Sequence, residues 1–111
     1  MIEVGPLSGI PRGEGIRIVP DADVPIAVFH TDDGEVLAVD DTCTHQEASL
    51  VEGWLEDCLI ECPLHSATFD LRTGAATLPA SRPVRTHAVE VRDGIVFVAL
   101  SEEEPNLPPG L

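Results

Sequence analysis

The chain has little positive charge. Its 111 residues include only 6 basic side chains, all of them arginine, against 20 acidic ones, which gives a formal net charge of −14. Phosphate backbones and anionic lipid headgroups would repel such a surface, so binding to nucleic acid and to membrane surfaces is disfavoured. The charge instead favours a protein partner with a basic contact surface.

Long hydrophobic runs and export signals are also missing. No apolar run approaches the roughly 18 residues that a membrane-spanning helix needs. The N-terminus, Met1-Ile2-Glu3-Val4, has neither the basic region nor the apolar core that is typical of a signal peptide. The 3 cysteines are an odd number in a chain without an export signal, which argues against a disulfide scaffold. We therefore expect a cytoplasmic protein without a membrane anchor.

The pattern of apolar residues predicts an all-β fold. A length of 111 residues fits one domain, and a hydrophobic content of 43% excludes a disordered chain. The apolar runs are short and separated by turn residues, with hairpin signals at Asp32-Asp33-Gly34 and Asp93-Gly94. This pattern is typical of a small antiparallel sandwich or barrel. The predicted strands are Ile2–Val4, Gly15–Val19, Ile26–His30, Val36–Asp40, Cys58–Glu61, Ala67–Asp70, His87–Val91 and Ile95–Leu100.

The last segment, residues 101–111, differs in composition from the rest. Three consecutive glutamates are followed by three prolines within a few residues. Such a sequence cannot form a strand ladder or a core, so we expect a flexible acidic tail that follows a single domain at residues 1–100.

Two short motifs combine thiols with imidazoles. Cys43-Thr44-His45 is followed, after sixteen intervening residues, by Cys62-Pro63-Leu64-His65. Thiolates and imidazoles are suitable ligands for an iron–sulfur cluster or for zinc. Neither motif has the Cys-x-x-Cys or His-x-x-x-His form of an ordinary structural zinc site. We expect both motifs to bind one metal centre, and a zinc-binding interaction module is the less favoured alternative.

At these residues the chain resembles the Rieske family, whose signature is Cys-x-His and Cys-x-x-His separated by about sixteen residues. It is most similar to the small Rieske ferredoxins of ring-hydroxylating dioxygenases. The resemblance implies one 2Fe-2S cluster, with Cys43 and Cys62 as ligands of one iron and His45 and His65 as ligands of the other. It also implies a Rieske-like antiparallel sandwich or barrel, in which two loops within about residues 41–84 form a cluster-binding subdomain.

The same resemblance implies a function in electron transfer. Such a ferredoxin carries one electron at a time from an NAD(P)H-dependent flavin reductase to a terminal Rieske oxygenase that dihydroxylates an aromatic ring. It has no catalytic activity of its own. The alternative is a Rieske-like small subunit of a larger oxidoreductase such as nitrite reductase. Members of that group often lack the ligands, whereas this chain has all four.

The chain differs from the Rieske proteins of respiratory chains at four positions near the motifs. Those proteins have two further cysteines, which form a disulfide, and a Ser and a Tyr, whose hydroxyl groups donate hydrogen bonds to sulfur. This sequence has Ala48, Leu64, Ala67 and Phe69 instead. Donors to sulfur stabilise the reduced state, so their loss predicts a reduction potential near the low end of the roughly −150 to +300 mV range of Rieske centres.

Four further expectations concern residues around the motifs. We expect Cys58 to be a small buried hydrophobic residue and Trp54 to pack in the core or against a loop. Residues 78–84 resemble the proline-bearing loop that packs beside the cluster in the Rieske family. For the acidic residues of this region two roles stay open, a solvated face that keeps the protein soluble or a negative surface that attracts basic partners. These residues are Asp40, Asp41, Glu47, Glu52, Glu56, Asp57 and Glu61.

Overall fold

The structure is a computed structural model that describes residues 1–21, 24–64 and 66–108. Within these residues the regular secondary structure consists of nine strands and two short 3-10 helices, Leu7–Gly9 and Leu50–Glu52. The strands are β1 (Ile2–Pro6), β2 (Glu14–Ile18), β3 (Ile26–His30), β4 (Val36–Asp40), β5 (Trp54–Glu56), β6 (Leu59–Glu61), β7 (Thr68–Asp70), β8 (Thr86–Arg92) and β9 (Ile95–Ala99).

The strands form two antiparallel sheets. The larger sheet has six strands in the order β1-β9-β8-β4-β3-β2, and the smaller has three in the order β5-β6-β7. The prediction of an antiparallel all-β fold is confirmed, and each of the eight predicted strands is present within two residues of its predicted ends. Strand β5 was not predicted, because its three residues are too short to show an alternating pattern.

Strand β3 explains how one large sheet supports two cores. All five of its residues are buried. Ala27 and Phe29 belong to a core shared with the smaller sheet, whereas Ile26 and Val28 belong to a second core that includes residues of β4 and β9. Successive side chains of a strand point to opposite faces, so a continuous apolar run is the pattern that a strand covered on both faces requires.

The tight turn between β8 and β9 is present as predicted. Asp93 and Gly94 have φ values of 51° and 76°. Positive φ at both central residues matches the type I′ turn, whose twist suits a two-residue hairpin. The pairing of β8 with β9 follows from this turn, with Arg92 opposite Ile95.

A buried ion-pair network connects β4 to β8. The guanidinium Nε of Arg85 lies 3.1 Å from each carboxylate oxygen of Asp40, and the imidazole Nε2 of His87 lies 2.8 Å from Asp40 Oδ1. All three residues are buried. Both partners of the carboxylate come from one segment, 45 and 47 residues further along the chain, and the network fixes residues 85–87 at the end of β4.

The C-terminal segment lies along this region. Arg85 donates a 2.7 Å hydrogen bond to the carbonyl of Glu103, Asn106 donates a 2.9 Å bond to the carbonyl of Pro83, and Arg82 donates to the carbonyl of Leu107. Residues 101–108 contain no regular secondary structure. Residues 109–111 lie outside the described residues, and the flexibility expected of the tail stays a prediction.

Candidate metal centre

The first cysteine motif lies in a tight loop, residues 43–48, that follows β4. The backbone N–H of Cys43 donates a 3.0 Å hydrogen bond to the carbonyl of Ala48, and an antiparallel bridge joins Thr42 to Ser49. The carboxylate of Asp41 stabilises the base of this loop because it accepts a 2.6 Å bond from the Ser49 hydroxyl and a 2.9 Å bond from the Val51 N–H. We call residues 43–48 the first cysteine loop.

The second cysteine motif lies in a loop between β6 and β7, and this loop is closed by the same kind of backbone hydrogen bond as the first. The backbone N–H of Cys62 donates a 2.7 Å hydrogen bond to the carbonyl of Ala67, again five residues further along the chain. Ser66 adopts φ of 60°, which lets the chain reverse within this short span. We call residues 62–67 the second cysteine loop. His65 belongs to it and lies outside the described residues.

The two loops bring their cysteines together. Cys43 and Cys62 are both fully buried, belong to the same apolar core, and are free thiols close enough for Cys43 to affect the pKa of Cys62. Burial raises the pKa of the Cys62 thiol from 9.0 to about 11; the N–H of Leu64 donates to its sulfur and lowers the pKa, and the neighbouring Cys43 raises it. The pair is thus positioned to bind as thiolates if a metal ion displaces the two protons.

The histidine of the first loop is placed differently from the cysteines. His45 is exposed, whereas Cys43 on the same loop is fully buried. Among the described side chains, no group of three His, Cys, Asp or Glu residues could hold a metal ion. The described part of the site thus consists of two buried thiols and one imidazole at the surface, and the fourth predicted ligand, His65, is not among the described residues.

Gln46 is a feature of the site that sequence reasoning missed. Its side-chain nitrogen Nε2 is buried and has no hydrogen-bond partner in the structure. A buried amide that donates no hydrogen bond is unfavourable, and such donors are normally satisfied by a protein group, water or a ligand. Sulfide and thiolate sulfurs accept hydrogen bonds. The donor set of this region, two thiols and an unsatisfied N–H in the first cysteine loop, therefore fits an iron–sulfur cluster.

The proline-bearing segment lies against the first cysteine loop, as expected from the resemblance. The hydroxyl of Thr44 donates a 2.7 Å hydrogen bond to the carbonyl of Arg82. Ala80 and Val84 are buried in the core that contains both cysteines. Leu78, at the start of the segment, is 83% exposed. The segment therefore closes one side of the site and leaves one large apolar side chain at the surface.

The structure changes the expected distribution of acidic residues. Asp40 and Asp41 are each only 2% exposed, and both are paired with arginine: Asp40 with Arg85, and Asp41 with Arg17 at 3.1 Å. The expectation that these two carboxylates belong to a negative surface is wrong, because both are buried in ion pairs with arginine. The acidic residues that remain exposed in this region are Glu47, Glu52, Glu56 and Asp57, with Glu61 half-buried.

Two other expectations about single residues are wrong. Cys58 is only partly buried and its sulfur lies 3.5 Å from the Arg72 guanidinium, away from the paired cysteines, so it is not the buried hydrophobic residue expected from the sequence. Trp54 is 64% exposed, so the expectation that it packs in the core or against a loop is wrong.

Gly53 precedes Trp54, and its φ of −82° lies outside the left-handed region that favours glycine. A Cβ at Gly53 would lie only 1.9 Å from the carbonyl oxygen of Glu61, so close packing of the two strands requires glycine there.

The chain is similar to known proteins of one family. The Rieske [2Fe-2S] domain family matches residues 2–88. The ferredoxin subunit of the 3-phenylpropionate/cinnamic acid dioxygenase of Photorhabdus laumondii is 54% identical over 91 residues, which cover 80% of this chain and 82% of the relative. Its counterpart in Escherichia coli (strain K12) is 45% identical over 102 residues, covering 90% and 93%.

Solved structures show the same likeness. A chain from the complex of reduced oxygenase and oxidized ferredoxin in carbazole 1,9a-dioxygenase matches with a TM-score of 0.83 at 37% identity, covering 88% of this chain and 100% of that one. A nitrite reductase small subunit from Mycobacterium tuberculosis matches with a TM-score of 0.81 at 21% identity, covering 91% and 95%, and at that identity it shows only a shared fold. The chain therefore belongs to the Rieske [2Fe-2S] domain family.

Proposed function

We propose that this protein is the ferredoxin of an aromatic-ring dioxygenase system and carries one electron at a time. The observation that carries the proposal is the pair of fully buried thiols, Cys43 and Cys62, brought close together by two loops with the same backbone closure. The high identity to ferredoxin subunits of dioxygenases, 54% and 45%, supports the same conclusion.

The four predicted residues would hold one 2Fe-2S cluster, which when bound supplies a single ferric/ferrous change. Cys43 and Cys62 would bind one iron as thiolates, while His45 and His65 would bind the other. Because each loop carries one residue of each type, neither loop can complete an iron site alone, so the fold must hold both loops together. The burial of the thiols excludes water from one side of the centre, and the exposed His45 gives partners access at the other.

The partners of this carrier would be a flavin-dependent reductase that uses NAD(P)H, as electron donor, and a terminal Rieske oxygenase, as acceptor. The complex of the carbazole 1,9a-dioxygenase ferredoxin with its oxygenase supports the second of these. With a net charge of −14, this chain would associate best with basic contact surfaces. The described residues contain no helix that could span a membrane. We place the carrier in the cytoplasm, together with the NAD(P)H-dependent reductase that would reduce it.

The proposal is tested by reconstitution with the reductase and oxygenase components of the Escherichia coli (strain K12) 3-phenylpropionate/cinnamic acid dioxygenase. We expect the purified protein to show iron–sulfur visible absorption and an EPR signal when reduced, and to support NADH-dependent product formation that ceases when it is omitted. A colourless protein that binds zinc after anaerobic reconstitution would contradict the proposal. Isolation only in a permanent complex with a larger oxidoreductase would favour the nitrite reductase alternative.

A further inference from the structure

Trp54 is the only tryptophan of the chain, and its side chain is 64% exposed. The smaller sheet explains this orientation. Leu55 of β5 lies opposite Ile60 and Ile60 lies opposite Phe69, and all three pack into the core that contains the cysteines. Side chains alternate along a strand, so Trp54 must point to the opposite, outer face. We call this outer face of β5, β6 and β7 the Trp54 face.

The position of Trp54 is fixed by its neighbours. Gly53 packs so closely against β6 that no side chain fits between its Cα and the carbonyl of Glu61. Trp54 then lies directly opposite Glu61 in the antiparallel pair. Glu61 immediately precedes Cys62. Given the usual Cα spacings across a pair and along a chain, the Cα atoms of Trp54 and Cys62 are at most about 9 to 10 Å apart.

The outer face combines this aromatic ring with negative charge. The outward residues of the smaller sheet are Trp54 and Glu56 of β5, Leu59 and Glu61 of β6, and Thr68 and Asp70 of β7. Leu59 is 43% exposed, so the face has two large apolar side chains among three carboxylates. An indole with acidic neighbours suits an arginine, which can stack on the ring and form an ion pair at the same time.

We propose that the Trp54 face docks against a basic, arginine-bearing surface of the terminal oxygenase, and that Trp54 is its anchoring contact. The inference rests on the proposed function and names the contact surface for one of its partners. Tryptophan is enriched among the residues that dominate binding energy, and its place beside the second cysteine loop would bring the docked partner close to the metal centre. A second copy of this chain is disfavoured as the occupant, because each copy has a formal net charge of −14.

The test is steady-state kinetics of the Escherichia coli (strain K12) cinnamic acid dioxygenase oxygenase, with the holoprotein as the varied electron donor. We expect Trp54→Ala to raise the KM for the carrier about tenfold with kcat unchanged, and Trp54→Phe to recover part of that loss. Glu56→Gln should raise the KM and weaken its dependence on salt. Val91→Ala, which removes an exposed side chain of the larger sheet, is the matched control and should leave the KM unchanged.

Several readouts separate docking from a structural role. The iron content, EPR spectrum, reduction potential and thermal midpoint of Trp54→Ala should equal those of the wild type, because truncating an exposed side chain leaves no cavity. If the wild type supports turnover and the KM of Trp54→Ala equals that of the wild type, the docking proposal alone is overturned. An effect confined to the reductase, or concentration-dependent self-association that Trp54→Ala abolishes, also overturns it. No turnover with the wild type overturns the proposed function, and the docking proposal with it.

Discussion

The hydroxyl of Thr44 donates a 2.7 Å hydrogen bond to the carbonyl of Arg82, and this bond joins the first cysteine loop to the proline-bearing segment. Thr44 lies between Cys43 and His45 and is only 3% exposed. The two segments are 38 residues apart in the sequence. The Thr44 side chain therefore holds the first cysteine loop, which carries two predicted ligands, against the proline-bearing segment.

Replacing Thr44 with valine should destabilise the protein by about 1 to 2 kcal/mol, because it leaves the Arg82 carbonyl without its buried donor. The temperature at which the visible absorbance of the cluster is lost should fall accordingly. Thr44→Ser keeps the hydroxyl and is the matched control. Equal midpoints for the valine variant and the wild type would show that the bond contributes nothing to the stability of the loop.

Serine substitutions should distinguish the three cysteines. Cys43→Ser and Cys62→Ser each remove a thiol from the buried pair and should abolish the Rieske absorption and EPR signals. Cys58→Ser should retain the full cluster, since Cys58 lies beside Arg72 and not beside the other thiols. Iron analysis per mole of protein checks the set. A loss of iron in Cys58→Ser comparable to that in Cys62→Ser would contradict the assignment.

The metal-free protein should lose stability in alkaline solution. The pKa of the Cys62 thiol is raised by burial from 9.0 to about 11, so the unfolded chain loses this proton at lower pH than the folded one. The contribution of this thiol to the free energy of unfolding is fully present below about pH 9. It is lost as the pH rises towards 11, and the loss is at most roughly 3 kcal/mol. Urea unfolding at several pH values measures the slope, which should be shallower in Cys62→Ala. An equal slope in that variant would assign the effect to other groups.

Asp40→Asn should be strongly destabilising. The change removes the carboxylate that pairs with Arg85 and His87 and leaves the Arg85 charge buried with only 4% of its side chain exposed. Loss of one partner of a buried pair costs about 3 to 5 kcal/mol.

The control for Asp40→Asn is Glu90→Gln, which breaks the Arg92–Glu90 pair at 3.4 Å, where both side chains are about half exposed. That substitution should change the free energy of unfolding by about 0.5 kcal/mol or less. Chemical denaturation of the two variants compares them directly. Similar decreases in the free energy of unfolding of Asp40→Asn and Glu90→Gln would show that burial adds nothing to the strength of the Asp40 network.

The reduction potential should lie near the low end of the roughly −150 to +300 mV range of Rieske centres. Ala67 and Phe69 are both fully buried and offer no hydroxyl donor to sulfur. Ala67→Ser should raise the potential, since an added donor stabilises the reduced state. Protein-film voltammetry measures both proteins. A wild-type value well above zero, or a potential that Ala67→Ser leaves unchanged, would contradict this account.

The amino-acid sequence by itself determined the features that depend on local spacing. The eight predicted strands follow from short apolar runs, and the β8–β9 turn follows from Asp93-Gly94, whose residue types suit positive φ. The two cysteine motifs predicted one metal centre because their donor types and separation match a known signature. His65 completes that signature in the sequence alone, since it is not among the described residues.

Only the tertiary structure decided which side chains are buried and which partners they have. Asp40 and Asp41 look like their acidic neighbours in the sequence, yet they are buried because arginines from distant segments pair with them; Arg85 is 45 residues from Asp40. Trp54 is a large aromatic residue, a type that the sequence leads one to expect in a core, but the register of β5 against β6 turns it outward. Burial and pairing depend on contacts between remote segments, and residue spacing along the chain does not encode them in any local pattern.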